Sequence, residues 1–243
     1  MPASILEGWI TPYGVGKMQI AIDTSTNFAG IALAEAGQIF AEMNWRCGQN
    51  HSVHLLLALS FLLRQQGLEP KSATEIVVAR GPGSYNGLRV GLSTVKGLAF
   101  SLRIPVVGIS TMEVEAYQQA ERGLPVCPVF NAGRGEIAAA VYQKVEGEWT
   151  RLVAEHVTTV ETMCSAVVSP TVFCGEYMHA IAPRVLEILG DKAVFVSPAA
   201  GLRRAAYLVE LGDKRLKAQD YDDPSTLQPL YLRAPPITEP KRR

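Results

Sequence analysis

Residues 19–44 read QIAIDTSTNFAGIALAEAGQIFAEMN, and this stretch decides the fold. Gln19–Asp23 is a short apolar run that ends in Asp-Thr-Ser-Thr, a cluster of turn formers. Phe28–Ala34 is a second apolar run, Glu35-Ala36-Gly37 turns the chain, and Gln38–Asn44 returns with stronger alternation. This predicts an antiparallel meander. Beyond it, strands and helices alternate. A helix over Ser52–Gln66 is closed by Gly67, and a continuous apolar strand covers Glu75–Ala79. A glycine-rich loop leads into a helix that reaches Leu102, followed by a strand over Pro105–Ile109 and a helix over Thr111–Arg122. Ser52 and Ser110 are the expected helix caps, and Glu113 takes the capping-box position. The order β-β-β-α-β-α-β-α implies a mixed sheet, antiparallel first and parallel after.

The second half repeats the plan. Val126–Phe130 ends in Asn131-Ala132-Gly133-Arg134-Gly135, Ile137–Lys144 turns at Glu146-Gly147-Glu148, and Trp149–Glu155 returns. Val160–Val168, Tyr177–Leu189 and Gly201–Gly212 read as helices, with strands at Thr171–Cys174 and Ala193–Val196 between them. The expected organisation is an extension over 1–17, a first lobe over 18–122, a second lobe over 123–234 with a docking C-terminal segment, and a loose tail over 235–243.

Composition narrows the function. In 243 residues, 23 Lys+Arg balance 23 Asp+Glu, which excludes a strongly basic nucleic-acid clamp. With 48% hydrophobic and 19% charged residues, the chain can fill a core, and the low charge points to an apolar surface that a partner covers. Cys47, Cys127, Cys164 and Cys174 form no CxxC pair, so buried reduced thiols are expected and no zinc site. The absence of a long apolar stretch and of a secretion signal at the start leads to the expectation of a cytoplasmic protein without a membrane span.

The sharpest motif is Arg80-Gly81-Pro82-Gly83-Ser84-Tyr85-Asn86-Gly87-Leu88-Arg89, between a buried strand and a helix start. It can hold an anion on free helix N–H groups, or simply make a tight turn. It is not a Walker loop, because no Gly-Lys-Ser/Thr closes it. In the helix that follows, Gly87, Gly91, Thr94, Gly97 and Ser101 form a small-residue stripe. The Ser52–Gln66 helix is apolar nearly all round, so it is expected to be buried on two sides, by the sheet and by a partner helix. The interface is expected at Leu55, Leu56, Leu59 and Leu63 of the first helix and Gly87, Gly91, Thr94, Val95 and Leu98 of the second. Asp23 is a candidate to hold a metal or orient a water, or a turn cap; Asn131 holds the matching place in the second half and cannot act as a base. His51 and His54 have metal-pair spacing but no third ligand, and read as an exposed pair near a helix start.

The doubled plan resembles the actin/hexokinase/Hsp70-type ATPase fold, an α/β, RNase H-like architecture of two lobes with mixed sheets flanked by helices. IAIDTST, HSVHLL, RGPGSYNGLRVGLSTVKGLAF, IPVVGISTME, NAGRGEI and PLYLR, in that order, resemble the TsaB (YeaZ) family. That resemblance implies a non-catalytic scaffold or activator of TsaD, which transfers threonylcarbamoyl to N6 of the tRNA adenosine 3′ of the anticodon. It implies a heterodimer with TsaD through the two helices, TsaE as a further partner, a homodimer in isolation, and tRNA contact only through the complex. Where TsaD has His-Met-Glu-Gly-His, this chain has Thr111-Met112-Glu113-Val114-Glu115, and the glycines of TsaD's second nucleotide loop are missing near Cys174-Gly175-Glu176. Catalytic, cofactor and metal residues are therefore expected to be none, with ATP and metal held by TsaD and TsaE. The second-lobe loop departs from the family pattern at Asn131, Gly133 and Ala138. A competing reading is an active TsaD-like transferase or small kinase of the same fold. A protease or chaperone-like role is a third, for which the sequence offers no nucleophile.

Overall fold

A computed structural model describes residues 16–48 and 50–233. The expected extension, apart from Gly16 and Lys17, and the expected tail lie outside the described residues. Gly16 donates its N–H to Glu35 at 2.9 Å, and Lys17 pairs with Glu75 at 2.7 Å.

The meander is β1 (Met18–Asp23), β2 (Phe28–Glu35) and β3 (Gln38–Arg46), followed by β4 (Glu75–Ala79) and β5 (Val106–Ile109). These form one sheet in the order β3-β2-β1-β4-β5, antiparallel within the meander and parallel from β1 outward. The second sheet contains β6 (Val126–Gly133), β7 (Glu136–Val145), β8 (Glu148–Thr158), β9 (Thr171–Cys174) and β10 (Ala193–Phe195) in the order β10-β9-β6-β7-β8. Read from β8, this is the order of the first sheet, with the same strand directions. The duplicated actin-like plan is present. Three hairpins use the same two-residue device: Ala36-Gly37, Arg134-Gly135 and Glu146-Gly147 all have positive φ, as a turn matching the right-handed strand twist requires.

The helices are shared between the lobes. α1 (His51–Gln65) and α2 (Tyr85–Leu102) cover one face of the first sheet, through Leu55, Leu59, Leu63, Leu92 and Val95. Its other face is covered by α6 (Ala205–Lys217), through Leu208, Val209 and Leu211. α4 (Val160–Ser165) and α5 (Met178–Leu189) cover one face of the second sheet. The other face meets α3 (Thr111–Tyr117), through Met112 and Ala116. A division into 18–122 and 123–234 therefore splits the two cores: α6 comes from the second half and packs on the first sheet. α3 is apolar on two sides, with Val114 in the first core and Met112 in the second. It stops at Tyr117 rather than Arg122, and a short 3-10 turn follows over Ala120–Arg122. The caps also differ. Asn50 precedes α1, and neither Asn50 nor Ser110 makes a side-chain cap bond, whereas Ser84 accepts from Gly87 N at 3.3 Å.

The small-residue stripe on α2 is divided between inside and outside. A Cβ on Gly91 would lie 2.3 Å from Thr24 Oγ1, whereas one on Gly97 would meet nothing within 4 Å. Gly91→Ala is expected to cost about 1–3 kcal/mol by overpacking. Gly97→Ala is expected to gain about 0.5–1 kcal/mol from helix propensity. Urea unfolding of the two variants checks this, and equal effects would contradict the packing.

Candidate functional site

The signature loop is consumed by the chain's own backbone. Ser84 N–H donates to Ser25 O at 2.6 Å, and Thr24 Oγ1 donates to Gly87 O at 2.7 Å. Gly81 exchanges two bonds with Thr111: its N–H donates to Oγ1 at 3.0 Å, and its carbonyl accepts the Thr111 N–H at 2.8 Å. Leu230 N–H donates to Arg80 O at 2.6 Å. A Cβ on Gly83 would lie 2.0 Å from Ser25 O, so the glycine admits the Asp23–Thr26 turn against the loop. The loop is thus a junction of the β1 turn, the start of α3 and the C-terminal segment, and the α2 start faces protein rather than an anion. Tyr85 is 38% exposed, stacks on Tyr231 at 5.4 Å and carries the Arg89 guanidinium 4.3 Å from its ring centre.

Between the lobes, one cation gathers the acidic groups. Arg203 lies in the loop before α6, and its side chain is 3% exposed. Its Nε donates to Asp23 Oδ2 at 2.6 Å and Nη1 to Glu115 Oε2 at 3.2 Å, with Glu176 Oε1 3.5 Å away. Nη2 donates to Thr26 Oγ1 at 2.9 Å and Ser25 Oγ at 3.3 Å. Thr26 Oγ1 also meets Glu176, and His51 Nε2 donates to the Thr26 carbonyl at 2.7 Å. His51 is therefore buried, while His54 is exposed. Asp23 keeps its turn role as well, accepting from Ser25 N at 2.8 Å. Burial pushes the Glu115 carboxyl up to about 7, against the pull of Arg203, and its Oε1 has no partner. Threonine and glutamate stand in the TsaD metal register, and each is engaged by a loop or a guanidinium. A buried arginine beside them does the charge balancing a divalent cation would do, so this donor set does not fit a metal. Sequence reading missed Arg203 and Glu176 because no motif surrounds either.

The expected interface residues separate into two groups. Leu55, Leu59, Leu63 and Val95 are at most 3% exposed and fill the first core, and Gly87 and Gly91 are buried under the β1 turn. These six cannot present a surface. Thr94 and Leu98 are half-buried, and Leu56 is 56% exposed. The outward stripe of α1 is instead Val53, Leu56, Leu57 and Phe61, joined by Phe100 of α2. The i, i+4 spacing of Val53, Leu57 and Phe61 was the available signal. Five large apolar side chains are thus exposed on two adjacent helices. In the second lobe, Asn131 Oδ1 accepts Gly133 N–H at 2.7 Å and shapes its own turn. All four cysteines are free and buried, and burial raises the Cys127 thiol to about 12. Among the described residues no helix is long and apolar enough to cross a membrane.

The Glu115 geometry carries a pH dependence. A carboxyl that titrates at about 4.5 when unfolded and about 7 when folded holds its proton more tightly in the native state. Its contribution is complete below 4.5 and is lost as pH rises through 7, on the order of 3 kcal/mol at most. Glu115→Gln is expected to flatten the fall in urea stability between pH 5 and 8. A fall of unchanged slope would show that Glu115 is ionised throughout.

Residues 46–237 match the family described as TsaD: tRNA N6-adenosine threonylcarbamoyltransferase. The chain is 32% identical to the tRNA threonylcarbamoyladenosine biosynthesis protein TsaB of Bacillus subtilis, over 88% of this chain and 93% of that one. It is 26% identical to the TsaB protein of Haemophilus influenzae, over 88% and 92%. A solved structure described as YeaZ from Pseudomonas aeruginosa superposes with a TM-score of 0.75 at 24% identity, covering 89% of this chain and 100% of that one. With the doubled fold and the junction around Gly81–Gly87, these matches place the chain in the TsaB family of tRNA threonylcarbamoyladenosine biosynthesis proteins.

Proposed function

We propose that this chain is a non-catalytic, cytoplasmic scaffold that activates a TsaD-type transferase, which carries threonylcarbamoyl to N6 of the tRNA adenosine 3′ of the anticodon. The observation that carries this reading is the exposed apolar face of α1 and α2. Fully burying each of its leucine or phenylalanine side chains is worth roughly 1.5–3 kcal/mol. Gly97, with nothing within 4 Å of a built Cβ, leaves room for a close helix from the other side. A TsaD-type partner occupies this face in the active complex, and a second copy covers it in isolation, by twofold self-complementarity. TsaE joins the pair, and ATP and metal reside on the partners. The Arg203 cluster supports the lack of catalysis, because its guanidinium occupies the carboxylates that a metal or a proton transfer would need.

The test uses side chains that face outward. Leu57→Asp and Phe61→Asp are expected to leave the melting temperature within a few degrees and to abolish association, seen as a monomeric mass by light scattering. tRNA modification reconstituted with TsaD, TsaE and the synthase of the threonylcarbamoyl adenylate is expected to fall at least tenfold. Full association and activity in both variants would move the partner surface elsewhere. Modification by this chain alone, or micromolar Mg-ATP binding to it in calorimetry, would overturn the non-catalytic reading.

A further inference from the structure

Both helices that carry the exposed apolar face start on one turn, Asp23-Thr24-Ser25-Thr26, whose first three residues are buried. The Thr26 carbonyl accepts from Nε2 of His51, the first residue of α1, at 2.7 Å. The Ser25 carbonyl accepts from the N–H of Ser84, the cap of α2, at 2.6 Å. Thr24 Oγ1 donates to the carbonyl of Gly87 in the first turn of α2 at 2.7 Å. Glycine makes this seat possible. A Cβ on Gly87 would collide with the Thr24 carbonyl and would lie 3.2 Å from the His51 ring, so the two helix starts meet each other as well as the turn. The same turn is bound by one side chain from the loop before α6. Arg203 donates from Nε to Asp23 at 2.6 Å and from Nη2 to Thr26 Oγ1 at 2.9 Å and Ser25 Oγ at 3.3 Å.

A face built from two helices is one surface only while the helices keep their relative position. Val53, Leu57 and Phe61 belong to α1 and Phe100 to α2. Apolar packing on the sheet is non-directional, whereas a hydrogen bond weakens steeply off its line. The directed bonds at the helix starts all run to the β1 turn, and three of its four residues are bonded by Arg203. We infer that Arg203 is a positioning residue for the docking face: through the β1 turn it sets how the starts of α1 and α2 present their outward side chains to the partner. The inference rests on the reading of this face as the contact with a TsaD-type partner. It gives the Arg203 cluster a task beyond joining the lobes. A lysine cannot take the place, because its single ammonium lacks the planar fork that reaches Asp23, Ser25 and Thr26 at once.

The experiment measures association constants of the full chain, with itself by sedimentation equilibrium and with TsaD by calorimetric titration. The temperature is one at which the melting curve of every variant shows it folded, so a loss of stability alone leaves the constants unchanged. Thr26→Val keeps the shape of the side chain and removes the hydroxyl between Arg203 and Glu176, and Thr26→Ser keeps the hydroxyl. Thr26→Val is expected to weaken association about tenfold, and Thr26→Ser to stay within about twofold of the unsubstituted chain. Arg203→Lys keeps the buried positive charge without the fork, and is expected to lose at least as much as Thr26→Val. Association equal to that of the unsubstituted chain in both Thr26→Val and Arg203→Lys would overturn the inference and leave the cluster as a tie between the lobes. So would equal losses in Thr26→Ser and Thr26→Val, since the hydroxyl would then not carry the contact. An unsubstituted chain that associates neither with itself nor with TsaD would overturn the docking-face reading, and this inference with it, before any variant is compared.

Discussion

A guanidinium buried between two lobes has to be answered by charge, and here it is answered from both. Asp23 ends β1 of the first sheet, Glu115 comes from the helix between the sheets, and Glu176 follows β9 of the second. Desolvating such a cluster is costly, and removing one member leaves a buried charge uncompensated, typically at about 3–5 kcal/mol. The cluster therefore adds less to stability than to arrangement: the lobes have one relative position in which all three acids reach the guanidinium. The unpartnered Glu115 Oε1 and its raised carboxyl record that a single arginine cannot fully satisfy all three acids.

The exchange of helices makes the same point in apolar terms. α6 seals the first sheet although its sequence follows the second, and α3 lies with one side in each core. Trp149, on the edge strand of the second sheet, packs edge-on to Tyr117 at 5.3 Å and stacks on Tyr142 at 5.7 Å, while Tyr117 meets Tyr207 of α6 at 6.0 Å. An aromatic seam thus joins the lobes in addition to the Arg203 ion-pair cluster. Joining the lobes by two different kinds of contact favours one fixed arrangement of the two sheets.

The strands were legible because their signals are local. A buried parallel strand such as Glu75–Ala79 is a short apolar run, and each hairpin announces itself by a residue and a glycine that can share positive φ. The repetition of that pattern predicts the duplication without any contact information. What stayed illegible depends on pairs far apart in the chain. Arg203 meets Asp23 across 180 positions and Glu115 across 88, and nothing near Leu202-Arg203-Arg204 marks one arginine as buried and the next as a surface partner of Glu42. The stripe of glycines on α2 was legible as close approach, but not as approach to the chain's own β1 turn.

α1 shows how the same limit leads to a wrong surface from a right premise. Its sequence is apolar nearly all round, so two buried sides follow, and the helix has two apolar stripes. Which stripe meets the sheet depends on the phase of the helix relative to β2 and β3, and that phase is fixed by His51, whose ring bonds the Thr26 carbonyl from inside the fold. Once His51 points inward, Leu55, Leu59 and Leu62 follow it at helical spacing, and Val53, Leu57 and Phe61 must face out. A polar side chain at the first helical position thus sets the orientation of the leucines after it. The outward valine, leucines and phenylalanine leave large apolar side chains in water on one stripe of the helix, a surface of the kind that marks interaction sites.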